Sequence, residues 1–236
     1  MDKTQLPKRF YKQAAVKAGD DGFAIELDGR AIKTPAKATL SVPKEALAQA
    51  IAQEWSDQGE TLDLPGMTLT RLANVAIDRT PQTRGDLAEE LTRYAATDVT
   101  CYLAETPAEL QARQEAAWAP WRTWAGRELG VLLVPVIGLI ASPQPQASLD
   151  AVRDHALSCD DFRLTALTWG CSLLGSAVLA LAVERGQLGA AAALTASCVD
   201  EDWQAEQWGS DEEAEAVRRG RLAQAEALQV WFDGLR

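Results

Sequence analysis

Twenty consecutive residues without a charge, LTALTWGCSLLGSAVLALAV, lie between Arg163 and Glu184. A stretch of this length and composition either spans a membrane as a helix or is buried on all sides within a helical domain. Its threonine, serine and glycine residues dilute the hydrophobicity, and the segment that follows is small and apolar rather than a charged loop. We therefore expect residues 164–183 to form a buried central helix, with a membrane anchor as the alternative.

Charge is distributed unevenly along the chain. Of 23 basic and 34 acidic residues, 11 of each lie within residues 1–80, so the whole net charge of −11 arises in residues 81–236. An acidic chain repels phosphate backbones, and no basic stripe with interleaved aromatic residues reverses this locally, which argues against a nucleic-acid partner. The imbalance indicates two units that meet near residue 80.

The N-terminal part has the pattern of strands followed by helices. In GFAIELDGRAIKTP, alternating apolar residues precede Asp28-Gly29, a pair suited to a type I′ hairpin turn. The segment ATLSV predicts a short strand, and RFYKQAAVKA an earlier one. After Pro43 the apolar period becomes helical, which predicts one helix to about Ser56 and a second within MTLTRLANVAIDR.

Beyond residue 82 the pattern is almost entirely helical. We predict a helix in GDLAEELTRYAATD, one in PAELQARQEAAWAPWRTWAGREL that Pro120 kinks or divides, and an extended, buried connector in GVLLVPVIGLIASPQP. Further helices are expected at about 146–158, 161–185, 187–199 and 211–234. The predicted class is α+β: a small β-rich domain with one or two helices (residues 1–80), then a larger α-helical domain (81–236).

Motifs for catalysis are weak. His155 is the single histidine and no G-x-S-x-G elbow accompanies it, while GCSLLG lacks the Lys-Ser/Thr of a phosphate loop. The four cysteines have no C-x-x-C spacing and are expected to be buried thiols in a reducing compartment. We predict no catalytic residue, metal or cofactor. The alternative enzyme would use the carboxylates between Asp200 and Glu213.

Residues 198–217, CVDEDWQAEQWGSDEEAEAV, form a segment with eight acidic residues, two tryptophans and no basic residue, called here the acidic segment. Val199 and Trp203 are four residues apart and can face inward from one helix, and Trp208-Gly209 ends that helix as a turn. Two interpretations are open. Either both rings anchor an acidic loop to the core, or they support an acidic platform that binds a basic or polar protein surface.

Several motifs in one order resemble a known family. KRFYK, LDGRAIKTPAK, VPKEALAQAIAQEW, MTLTRLANVAIDR, ATDVTCYLAE and WQAEQWGSDEEA are similar to the ATP-twelve family of ATP synthase assembly chaperones, over roughly residues 8–215. The family occurs in mitochondria and alphaproteobacteria. The resemblance implies a β-rich domain followed by a helical one, no catalysis, and binding of the free alpha subunit of the catalytic head until the beta subunit replaces the chaperone.

The resemblance also implies site residues. The family's functional acidic position carries over to Glu212, with Asp211 and Glu213 as neighbouring candidates, although the aromatic residue and the histidine-aspartate pair expected after it are missing. Trp203, Gln207, Trp208 and Gly209 complete the predicted partner-binding segment, and Trp55 is expected to have a structural role. Trp169 is expected in the core for a separate reason, because it lies in the most apolar predicted helix. The N-terminus lacks the apolar stretch of a secretory signal. We therefore expect a bacterial cytoplasmic monomer, or a mitochondrial matrix protein for an organellar homologue.

Overall fold

The computed structural model describes residues 6–138, 140, 142–209 and 211–236. It is 63% helical and 11% strand, with the strands concentrated in the N-terminal part, which confirms the predicted α+β class. By internal contacts the chain divides into two compact units. The N-terminal unit comprises residues up to Gln82 together with Val230–Arg236, and the helical unit comprises Thr83–Gln229. The grouping of the last seven residues with the N-terminal unit was not anticipated, and the assignment of residues 1–80 and 81–236 to two domains stays a prediction.

The N-terminal unit contains a small antiparallel sheet. Its strands are β1 (Ala14–Gly19), β2 (Gly22–Leu27), β3 (Arg30–Ala31) and β4 (Ser41–Val42), and β2 pairs with the other three. Asp28 and Gly29 connect β2 to β3 with φ angles of 49° and 77°, as a type I′ turn requires. The predicted hairpin is confirmed. In the predicted strand ATLSV, the continuous strand is limited to Ser41–Val42, while Thr39 forms an isolated bridge with Lys33.

Two helices complete the N-terminal unit as predicted, α1 (Glu45–Ser56) and α2 (Thr68–Asp78). The apolar face of α1, which includes Trp55, packs against β1 and β2. The carboxylate of Glu54 accepts hydrogen bonds from the backbone N–H groups of Leu69 and Thr70 at 2.8 Å, so α1 caps the first turn of α2. Burial raises the pKa of Glu54, and its hydrogen bonds with Thr70 and Leu69 oppose that shift.

The end of the last helix belongs to the same unit. Helix α10 (Glu212–Gly234) begins in the helical unit. Its C-terminal residues, including the buried Trp231 and Phe232, belong to the N-terminal unit. A Cβ on Gly234 would lie 2.9 Å from Cα of Leu47 in α1, so the glycine permits this close approach.

The remaining helices form the helical unit. They are α3 (Thr80–Ala96), α4 (Ala108–Leu129), α5 (Gln146–Ser158), α6 (Asp161–Leu174), α7 (Ala177–Glu184), α8 (Ala190–Ser197) and α9 (Val199–Trp208). α3 begins in the N-terminal unit and has a non-helical residue at Thr83, next to the division between the units. α4 continues through Pro120 as one helix, so of the two predicted outcomes, a kink or a division, the division is excluded. Trp118 and Ala125 on either side of the proline are fully buried, and this packing keeps the helix in one piece.

The uncharged segment 164–183 is buried as predicted, but it forms two helices instead of one. Gly175 adopts a left-handed conformation with φ 62° and ends α6, and Ser176 caps α7 by accepting a hydrogen bond from Leu179 N at 3.0 Å. The fully buried Asp98 accepts a further bond from Val178 N at 3.0 Å. Within the described residues no helix is long and apolar enough to cross a membrane.

The connector after α4 is extended but is not buried throughout. Val136–Ile137 forms β6, which pairs in parallel with β5 (Tyr102–Leu103). Val131 and Leu133 are buried, whereas Leu132, Val134 and Ile137 are exposed, as is Ile140. The prediction of a buried connector was therefore wrong for alternate residues, because an extended chain turns successive side chains to opposite faces and here one face is covered. Residues 139 and 141 of this connector lie outside the described part.

Candidate functional site

The acidic segment borders a groove in the helical unit. Its walls come from α8, α9 and the N-terminal half of α10, and its volume is about 540 Å³. We call it the α8–α10 groove. Its lining residues are Ala191, Leu194, Thr195, Cys198, Glu201, Asp202, Ala205, Asp211, Glu213, Ala214, Glu215, Val217, Arg218, Arg221 and Leu222.

Helix α9 is fixed to α4 on the side away from the groove. Val199 is buried in a cluster with Trp118 and Leu103. Gln114 Nε2 donates to Asp200 Oδ1 at 2.6 Å, and the Trp118 indole N–H donates to the carbonyl oxygen of Ala196 at 2.7 Å. These contacts orient α9 so that Glu201, Asp202 and Ala205 line the groove.

The contacts between α9 and α4 also affect the pKa values of two carboxyl groups on α9. Burial raises the pKa of Asp200, although its hydrogen bond from Gln114 acts in the opposite direction. At the other end of the helix Arg113 donates to Glu206 at 2.7 Å, and this hydrogen bond lowers the pKa of the Glu206 carboxyl. The two carboxylates are tied to different residues of α4. They therefore act as attachment points, and their arrangement is not that of a paired acid and base.

The beginning of α10 is open to solvent. Asp211 caps the helix by accepting a hydrogen bond from Ala214 N at 2.8 Å, and every residue from Glu212 to Gly220 is exposed. Arg218 reaches across the groove to Asp202 at 2.6 Å. Arg221 lies 3.5 Å from Glu201 and donates to the carbonyl oxygen of Leu173 at 3.3 Å.

The predicted binding residues differ in their surroundings. Asp211 and Glu213 line the groove, whereas Glu212, Gln207 and Gly209 are exposed beside it. Trp203 is half-buried, one helical turn after the buried Val199, as the four-residue spacing predicted. Trp208 is 79% exposed, so the interpretation that both rings anchor the segment is wrong for this tryptophan. It lies two residues after Glu206, which pairs with Arg113 of α4, and its ring is open to solvent in the described chain.

The two predicted structural tryptophans also differ from each other. Trp55 is 6% exposed, its ring centroid lies 5.7 Å from that of Tyr11, and its carbonyl oxygen accepts a hydrogen bond from the Tyr11 hydroxyl at 2.7 Å. Trp169 is only half-buried on α6, so its expected place in the innermost core was wrong.

Sequence reasoning missed the apolar side of the groove. Leu194 belongs to α8, and Val217 and Leu222 belong to α10, where they are 59% and 42% exposed. The available signal was weak. Val217 and Leu222 are isolated apolar residues in a charged stretch, and a helix pattern alone does not show that they face a groove.

His155 and the cysteines lie outside the groove, apart from Cys198. His155 Nε2 lies 3.4 Å from the buried carboxylate of Glu184, which also pairs with Arg163 at 2.9 Å and Arg185 at 3.1 Å. All four cysteines are free and buried, as predicted. Burial raises the pKa of Cys101 to about 12 and that of Cys159 to about 11, which keeps both thiols protonated and unreactive at neutral pH.

Similarity to known proteins identifies the family. A sequence profile described as ATP12 chaperone protein matches residues 8–126, just over half of the 236-residue chain. The chain belongs to the ATP12 chaperone family. The crystal structure of Atp12 from Paracoccus denitrificans is 39% identical with a TM-score of 0.90, and the match covers 98% of this chain and 99% of that one.

Two other relatives extend the comparison. This ATP12-family chain is 38% identical to the Atu1473 protein of Agrobacterium tumefaciens, with a TM-score of 0.92 over 98% of this chain and 87% of that one. It is also 29% identical to the mitochondrial protein atp12 of Schizosaccharomyces pombe over 222 residues, 89% of this chain and 76% of the relative. The groove lies beyond the residues matched by the profile, but the structural matches cover nearly the whole chain.

Proposed function

We propose that this ATP12-family chaperone binds the free alpha subunit of the ATP synthase catalytic head and shields its interface until the beta subunit replaces it. The observation that carries the proposal is the α8–α10 groove, whose exposed apolar residues are bordered by carboxylates. A subunit made for an obligate ring exposes a large apolar interface before assembly and aggregates unless it is covered. A family of chaperones with such a groove is suited to cover it.

The proposed function is non-catalytic and requires neither metal nor cofactor. A holder that must be replaced should bind less tightly than the final partner, and a partly charged surface meets that requirement better than a wholly apolar one. We propose that the chain acts as a monomer in the cytoplasm of an alphaproteobacterium, and that organellar relatives act in the mitochondrial matrix.

The test is co-expression of the alpha subunit with the tagged chain in cells that lack the beta subunit. The alpha subunit should co-purify with the chain and remain soluble, and added beta subunit should release it. An alpha subunit that never co-purifies, and aggregates equally with and without the chain, would contradict the proposed function.

A charge reversal at Glu212 tests the predicted site within that function. Glu212→Lys should weaken alpha-subunit binding because it introduces a like charge opposite a basic partner surface, while the melting temperature stays within about 2 °C. Glu226→Lys, an exposed glutamate further along α10, is the matched control. A related charge change is tolerated in this fold, because an aspartate-to-lysine mutant of Paracoccus denitrificans Atp12p matches this chain with the same TM-score of 0.90.

A further inference from the structure

We propose that the α8–α10 groove binds a short amphipathic helix of the partner, two to three turns long, with one apolar face and a basic flank. The inference rests on the proposed function, because it specifies which part of the alpha subunit the chaperone holds. It is argued from the groove itself: its apolar side chains, the secondary structure of its walls, its volume and its charge.

The groove has an apolar surface that the chain leaves uncovered. Val217 and Leu222 of α10 are 59% and 42% exposed, and they line the same groove as Leu194 of α8 and Ala205 of α9. Contiguous exposed apolar residues bordered by polar ones are typical of a protein-binding surface. The occupant must therefore present apolar side chains.

The walls determine the secondary structure of the occupant. All three walls are helices, in which interior backbone N–H and C=O groups are bonded within the helix itself. Among the described lining residues no strand edge is present, so an extended peptide would find no backbone partners there. A segment that buries its backbone against these walls must satisfy its own hydrogen bonds, as a helix does.

The length and volume of the groove indicate how much of the partner helix it accommodates. The residues of α10 that line the groove run from Glu213 to Leu222, about 14 Å at 1.5 Å per residue. The groove is an open depression of about 540 Å³ along this wall, so the apolar face of a helix two to three turns long can lie against it.

The charge of the groove predicts which residues flank the apolar face of the bound helix. The lining contains five carboxylates, from Glu201, Asp202, Asp211, Glu213 and Glu215, against the two guanidinium groups of Arg218 and Arg221. The excess of negative charge favours lysine or arginine beside the apolar face of the occupant. Arg218 already pairs with Asp202 at 2.6 Å, so a carboxylate of the groove accepts a guanidinium in the empty state.

Photocrosslinking tests which segment lies in the groove. A benzophenone amino acid replaces Val217 in the full chain, which is then co-expressed with the alpha subunit. Val230, an exposed valine of α10 outside the groove, is the matched control position. We expect crosslinks from position 217, and not from 230, to an alpha-subunit helix with apolar and basic faces. Crosslinks from 217 to an extended or acidic segment, or equal crosslinking from both positions, would overturn the inference.

Substitutions test the energetics in the same complex. Val217→Lys should weaken alpha-subunit binding about tenfold or more, and Val217→Glu should weaken it less, because only lysine repels a basic flank. Val230→Lys should bind as the unsubstituted chain does. If both Val217 variants retain full affinity, the groove inference is wrong while the proposed function stands. If the unsubstituted chain does not hold the alpha subunit, the proposed function itself fails.

Discussion

Arg218 and Asp202 join α10 to α9 across the groove, with the guanidinium and carboxylate 2.6 Å apart. The arginine side chain is 55% exposed, whereas the aspartate side chain is 14% exposed, so water reaches the guanidinium more than the carboxylate. An ion pair with one exposed partner contributes little to folding. It occupies a carboxylate that the proposed basic helix of the partner would otherwise contact.

Removal of this arginine should favour binding without affecting the fold. We expect Arg218→Gln to bind the alpha subunit about two- to fivefold more tightly, because Asp202 loses its internal partner and the groove becomes more negative. Arg219→Gln makes the same charge change on a neighbouring exposed residue that does not line the groove. Titration calorimetry on both variants is the measurement. Equal affinities for the two would show that Arg218 does not compete with the partner.

Replacement of Trp55 by arginine should reduce stability far more than the same replacement of Trp208. Trp55→Arg exchanges a buried ring for a charge and should reduce the free energy of unfolding by about 3–5 kcal/mol. Trp208→Arg changes a ring that is 79% exposed and should leave it within about 0.5 kcal/mol. Urea unfolding followed by far-ultraviolet circular dichroism compares them. A stable Trp55→Arg protein would reassign that residue to the surface.

Two glycines of α10 should respond to alanine with opposite signs. Gly234→Ala places a methyl group 2.9 Å from Cα of Leu47, where backbone must move, and should destabilise the chain by about 1–3 kcal/mol. Gly220→Ala meets nothing within 4 Å and should stabilise the helix by about 0.5–1 kcal/mol. Thermal melts of the two variants provide the comparison. If both substitutions lowered the melting temperature, the open surroundings of Gly220 would be contradicted.

The buried carboxylate of Glu184 should make stability depend on pH. Burial acts to raise its pKa, but the hydrogen bond and charge of His155 and the charges of Arg185 and Arg163 outweigh it, so the pKa is lowered below its ordinary value of 4.5. A lowered carboxyl pKa contributes stability that is present above the ordinary value and is lost as pH falls through the folded-state value.

Glu184→Gln isolates this contribution. At pH 7 the variant should be less stable than the unsubstituted chain by about 1–3 kcal/mol, because the amide cannot compensate the two arginines. The difference should be constant above about pH 5 and should shrink as pH falls below about 4.5, where the native glutamate also becomes neutral. Urea titrations at several pH values provide the measurement, and a difference that stays constant with pH would show that the carboxylate charge is not responsible.

Local features of the fold could be predicted because their causes are local. The Asp28-Gly29 turn follows from two residues that adopt positive φ, and α1 and α2 follow from the period of their apolar residues. The order of the motifs indicated the chaperone family. The length and composition of the uncharged segment predicted that it is buried. The break at Gly175 was missed, because Ser176 and Asp98 cap α7 there and Asp98 comes from a distant part of the chain.

The candidate site shows most clearly which features could not be predicted from the sequence. The sequence by itself determined that residues 198–217 combine carboxylates with tryptophans and that helices surround them. Only the tertiary structure decided that Trp208 is exposed, that Leu194 and Val217 face one groove, and that Arg218 pairs with Asp202. The physical reason is that helix periodicity is encoded in neighbouring residues, whereas burial depends on which distant helix covers each face.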